Sequence, residues 1–104
     1  MFDKLFQAQQ KAEEVKRRLD NISVSGEVEG GKIRIVVSAS KEVREVTIDP
    51  DFYAQAEKEE IEELLVVALN KALSQAETVS QSEMQAVSQD LLGGLGAFGN
   101  LFNK

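Results

Sequence analysis

The 104-residue chain is 42% hydrophobic and 29% charged, which suits one folded domain with a modest core and excludes a disordered polyelectrolyte. It contains no cysteine and no histidine, so a disulfide framework, the usual zinc ligand sets and the common nucleophile–base pairs are absent. The net charge of −6 argues against assuming nucleic-acid binding, because phosphate contact requires local positive potential.

The first element is predicted to be a helix. Leu5, Ala8, Ala12, Val15, Leu19 and Ile22 are spaced alternately three and four residues apart, a heptad seam suited to helix pairing but too short for a free-standing coiled coil. Asn21 and Ser23 mark its end. Met1–Glu14 mixes charges among apolar residues and lacks signal-peptide character. Phe2, Leu5 and Phe6 beside a lysine suggest a membrane-surface helix, a reading opposed by the adjacent Asp3.

A period-2 pattern follows. Ile22, Val24, Gly26 and Val28 alternate with polar residues, and Gly30-Gly31 predicts a two-residue hairpin turn. Gly26 marks either a bulge or a close backbone approach. Ile33, Ile35, Val37 and Ala39 form one face of a second strand, and Ser40-Lys41-Glu42 turns the chain back. A third strand carries Val46 and Ile48 and stops at Asp49-Pro50. The three strands make an antiparallel meander with one buried face.

After a single helical turn within Asp51–Ala56, residues 57–90 contain neither proline nor glycine and predict a long second helix. Ile61, Leu65, Ala68, Leu69, Ala72, Ala76, Val79 and Val87 lie along one side. At 1.5 Å per residue it would approach about 50 Å, longer than a small domain is wide. The polar stretch Thr78–Gln85 suggests a break near Ser80. Its longest apolar run, Leu64–Leu69, is far too short to cross a bilayer. Residues 91–104 interleave Gly93, Gly94, Gly96 and Gly99 with Leu92, Leu95, Phe98, Leu101 and Phe102. They are read as a flexible tail, with docking on a partner the alternative. The expected fold is α+β, with a domain over 1–90 and a tail over 91–104.

Charge is unevenly spread. Residues 1–20 hold five cations (Lys4, Lys11, Lys16, Arg17, Arg18) against four anions, whereas 41–63 hold three against nine. Lys4, Lys11 and Arg18 recur every seven residues and share one flank of the first helix. They read either as a phosphate-binding stripe or as a solvated face closed by Glu13–Arg17 and Glu14–Arg18 pairs. The cluster Glu57, Glu59, Glu60, Glu62 and Glu63 suits a helix N-terminus better than a metal site. Asn70 fits either a register-setting role across a dimer seam or plain solvent exposure.

The order of elements resembles the YbaB/EbfC family of nucleoid-associated proteins over roughly residues 5–90. The likeness is carried by Gln7-Ala8-Gln9-Gln10-Lys11-Ala12, the Gly26–Gly31 hairpin, Val46-Thr47-Ile48-Asp49-Pro50, and the helix segment Glu60–Ala72 (EIEELLVVALNKA). Ser40 stands where a glycine is common in the second turn of such proteins. The resemblance implies an intertwined homodimer with projecting helical arms that binds duplex DNA with weak or broad sequence preference. It implies no enzymatic activity, and a cytoplasmic, nucleoid location. It transfers no compact residue motif, so Lys4, Lys11, Lys16, Arg17 and Arg18 are candidate DNA contacts on the ground of charge and helical phase. No cofactor, metal, membrane or small-molecule substrate is expected. A dimeric protein-interaction scaffold with little DNA affinity is the alternative.

Overall fold

Helix α1 (Phe2–Asn21) is built from glutamine, lysine, arginine, glutamate, alanine and leucine, with no glycine or proline to interrupt it. The computed structural model describes residues 2–93. Strands β1 (Ser23–Val28), β2 (Ile33–Ser38) and β3 (Val43–Ile48) follow as an antiparallel sheet in the order β1-β2-β3. A short helix α2 (Pro50–Gln55) leads into α3 (Lys58–Gly93). The α+β meander with its two flanking helices is as the sequence predicts.

The first turn is longer than the expected two residues. Val28 pairs with Ile33, so Glu29–Lys32 all belong to the connection, which makes a 3-10 turn over Glu29–Gly31. Gly31 at φ +90° supplies a conformation that a side chain would disfavour. The sheet's irregularity falls between Val36 and Val37 of β2 rather than at Gly26. Asp49 does more than end β3. Its carboxylate accepts from the Phe52 N–H at 3.0 Å and caps α2, with Pro50 at the first helical position.

The core lies between α3 and one face of the sheet. Val28, Ile33, Ile35 and Val37 are buried against Ala68, Ala72 and Ala76. An alanine at every fourth position gives α3 a flat face that approaches the strands closely. Gly26 completes that fit, since a Cβ there would stand 2.1 Å from the Ala68 carbonyl oxygen and 2.6 Å from the Ala72 nitrogen. Of the two sequence readings of Gly26, the close approach is the one observed.

A second cluster joins the helices: Val15, Leu19 and Ala39 are buried, with Ile22, Val79 and Val87 packed around them. This packing carries α3 unbroken through Ser80, where the sequence suggested an interruption. Tertiary packing overrides the weak local pattern. The molecule measures 66 × 30 × 16 Å, its length set by α3. α3 extends to Gly93, and the rest of the expected tail, 94–104, lies outside the described residues.

Candidate nucleic-acid interface

Helix α1 is two structures in one. Its C-terminal half is anchored: Val15 and Leu19 are buried, and the Ala39 N–H donates to the Ile22 carbonyl at 2.8 Å. A polar web adds to the hold. The Ser40 hydroxyl donates to the Asp20 carboxylate and exchanges a 2.7 Å hydrogen bond with the buried Ser38 hydroxyl, while Arg44 Nη2 donates to the Asp20 carbonyl at 3.1 Å. Ser40 thus has a function that glycine could not supply, and the left-handed residue of this turn is Lys41 (φ +74°). From Lys4 to Gln10, by contrast, every residue is exposed, including Leu5 at 65% and Phe6 at 61%. The seam predicted from Leu5 to Ile22 is therefore closed within the protomer only from Val15 onward.

The five candidate cations all lie on this helix, but not on one face. Lys4, Lys11 and Arg18 share a flank, and helical phase turns Lys16 and Arg17 roughly 120–140° away from Lys11. Lys4, Lys16, Arg17 and Arg18 are exposed and Lys11 is half-buried. Arg18 Nη1 lies 3.7 Å from Glu83 of α3. The pairs Glu13–Arg17 and Glu14–Arg18, which would have made this an ordinary solvated face, do not appear among the ion pairs of the described residues.

The remaining described cations are engaged. Arg34 pairs with Glu27 at 3.3 Å, Arg44 with Glu42 at 3.5 Å, Lys58 with Glu62 at 3.5 Å, and Lys41 with Glu77. Lys71 Nζ donates to the Glu27 carbonyl at 3.3 Å, and Lys32 Nζ sits 5.6 Å from the centre of the Phe52 ring. Lys4, Lys11, Lys16 and Arg17 have no such partner among the described residues. The Lys41–Glu77 pair holds the Glu77 carboxyl below the ordinary glutamate range, first through the hydrogen bond and then through the charge of Lys41.

The acidic residues 57–63 are at the opposite end of α3 from the level of the arm. Apart from Ile61 all of them are exposed, and no group of three or more acidic side chains converges as a metal site among the described residues. Asn70 is exposed on the protomer.

One surface escaped the sequence reading. α3 lies across β1 and β2 and leaves β3 largely uncovered. Val46 pairs with Ile35 and Val43 with Val37, so both valines share the apolar face, yet they remain 50% and 48% exposed. Helical phase puts Leu65 and Leu69 on the flank of α3 away from Lys71, bordering the same valley. The strand alternation was legible, but not which part of the face α3 would cover.

Known proteins resemble this chain in sequence or in fold. Residues 1–91 match the YbaB/EbfC DNA-binding family. A nucleoid-associated protein of Flavobacterium johnsoniae is 34% identical over 98% of this chain and 94% of its own length. One from Rhodopseudomonas palustris strain HaA2 is 43% identical over 92% of this chain and 87% of its own. The crystal structure of an uncharacterized Helicobacter pylori protein overlays with a TM-score of 0.62, covering 75% of this chain and 90% of that one at 17% identity, a likeness of fold. The chain is a member of the YbaB/EbfC DNA-binding family.

Proposed function

We propose that the chain acts as a homodimer that coats duplex DNA in the bacterial nucleoid, gripping phosphates through its paired α1 arms with broad sequence preference. The carrying observation is the contrast in cation use. Each described cation outside α1 is spent on an internal partner, whereas Lys4, Lys11, Lys16 and Arg17 have none among the described residues. Cations spread around a narrow projecting helix suit phosphate contact, which fixes position without reading sequence.

Dimerisation supplies the second arm. The valley formed by Val43, Val46, Leu65 and Leu69 is apolar and half-exposed on the protomer, as a surface awaiting a second copy would be. In a chain of this size, joining two such valleys enlarges a modest core.

The test is a salt titration of binding to labelled duplexes of unrelated sequence, followed by fluorescence anisotropy. Each neutralised phosphate contributes about 0.9 to the log–log slope. Removing Lys4, Lys11, Lys16 and Arg17 together should flatten the slope and weaken binding equally on all duplexes, with the circular dichroism unchanged. Arg18→Ala should cost less than any of the four, because Glu83 already competes for that charge. Absence of a complex at low salt, or a slope untouched by the fourfold change, refutes the proposal and leaves the protein-interaction scaffold as the better reading.

A further inference from the structure

The sheet of the protomer has free edges at β1 and β3, and they are built differently. On β3 the register slips opposite Val36 and Val37, so Arg44 has no counterpart on β2 and the strand carries a bulge. Bulges and charges turn an edge away from a further strand. β1 has little of either. Its pairing with β2 is regular from Ser23 to Val28, it contains no proline, and Glu27 is its one charged residue.

Hydrogen-bond parity identifies the groups that β1 turns outward. The Ala39 N–H donates to the Ile22 carbonyl, which makes that pair hydrogen-bonded, and antiparallel pairs alternate. Val24, Gly26 and Val28 therefore exchange bonds with β2, whereas Ser23, Ser25 and Glu27 direct their N–H and C=O groups to the free edge. Two contacts agree with this parity. The Ser38 N–H, opposite Ser23, turns to the β3 side and donates to the Glu42 carbonyl at 2.8 Å, and the Glu27 carbonyl accepts from Lys71 Nζ at 3.3 Å.

The edge opens on a groove of about 610 Å³ between β1 and α3, lined by Ser25, Gly26, Glu27, Lys71, Ser74 and Gln75. A second β1 running antiparallel and centred on Ser25 would set Ser25 against Ser25 and Ser23 against Glu27, so no like charges would stand opposite. In that ladder each Glu27 carbonyl must accept the Ser23 N–H of the other copy. Lys71 already holds this acceptor and sets an ammonium in the path of the strand. We infer that Lys71 guards the β1 edge: its tie to the Glu27 carbonyl keeps two copies of the chain from joining sheet to sheet through β1. The close approach at Gly26 puts the guard in place, since a Cβ there would also stand 3.0 Å from Lys71 Cβ. The device is separate from the valley of Val43 and Val46 and stands whether or not the chain binds DNA.

Lys71→Met keeps an unbranched side chain of similar length and removes its charge. Sedimentation velocity of the full-length chain should show the variant forming species larger than the parent's, in proportions that rise with concentration. Hydrogen exchange locates the new contact. The Ser25 and Glu27 amides, free in the parent, should exchange several-fold more slowly in Lys71→Met. Adding Ser25→Pro removes an outward N–H that the β1–β2 ladder does not use, and should return the variant to the parent's sedimentation. Lys71→Met that sediments as the parent does overturns the inference. So do larger species whose Ser25 and Glu27 amides stay unprotected, because those copies have joined elsewhere. The exchange result decides the matter independently of how well proline is accommodated at position 25.

Discussion

Gly26→Ala tests the closest contact in the fold. The added Cβ would lie 2.1 Å from the Ala68 carbonyl oxygen and 2.6 Å from the Ala72 nitrogen, where ordinary contact begins near 3.4 Å. Both neighbours are backbone, so no rotamer change relieves the clash. α3 must retreat by more than 1 Å, and Ala68, Ala72 and Ala76 then lose contact with Ile33, Ile35 and Val37. A gap of that size forfeits about half of the dispersion well of each contact. Overpacked sites cost about 1–3 kcal/mol even where side chains can adjust, which puts a rigid site at the upper end. Alanine returns about 0.5–1 kcal/mol through its smaller loss of chain entropy in the strand. The net loss is about 2 kcal/mol, a fall in Tm of about 10 °C for a chain of this size. Thermal circular dichroism at matched protein concentration measures it. Ala68→Gly should not rescue the variant, because the obstructing atom is a carbonyl oxygen. A Tm within about 2 °C of the parent, or rescue by Ala68→Gly, would refute the close-approach argument.

Other changes probe separate parts of the structure. Val46→Asp should leave protomer stability nearly unchanged, since the side chain is already half-exposed, but shift sedimentation from dimer to monomer; a persistent dimer would move the interface away from the β3 valley. Asp49→Ala removes the cap on the Phe52 N–H and should cost about 1 kcal/mol in urea unfolding. Glu77 has a depressed pKa in the folded state, so its pairing with Lys41 contributes fully above the ordinary glutamate range and is lost as pH falls through the depressed value. Carboxyl titration by NMR should show Glu77 ionising below ordinary glutamates, and Lys41→Ala should return it to their range. No change on removing Lys41 would break the assignment.

The sequence revealed elements wherever one pattern decided them. Alternation at Ile33, Ile35 and Val37 marked β2, and the absence of proline and glycine over 57–90 marked α3. It failed where two segments compete for the same surface. The heptad line from Leu5 to Ile22 is uniform in sequence, but only its C-terminal half meets α3 and the Ala39 turn, so burial stops near Val15. Thr78–Gln85 looked like a break because its polarity is visible locally and the support of Val79 against α1 is not. The candidate cations were identifiable by type. That Arg18 would be held by Glu83, and that cations outside α1 would be occupied in pairs such as Lys41–Glu77, depended on long-range contacts that no spacing announces.

Net charge is a poor guide to this protein because its charges are separated along a long axis. Residues 57–63 begin α3, whereas Arg17 is level with about position 84 of that helix, which puts at least about 30 Å between the acidic cluster and the cations of the arm. At physiological ionic strength the screening length is about 8 Å, so the acidic end barely weakens the potential around Lys4, Lys11, Lys16 and Arg17. The local opposition comes instead from Glu13 and Glu14 on the same helix and from Glu83, which holds Arg18. At about 0.01 M salt the screening length grows to about 30 Å and the two ends begin to sense each other. Dilution of salt then strengthens phosphate contact while exposing the DNA to repulsion from the distant carboxylates. The log–log plot of affinity against salt should therefore lose its linearity and flatten below about 0.01 M, and replacing Glu59, Glu60 and Glu63 by glutamine should straighten it without altering the slope at physiological salt. A parallel displacement of the whole line would show that the acidic end acts at every ionic strength, and the separation of charge along α3 would then explain nothing.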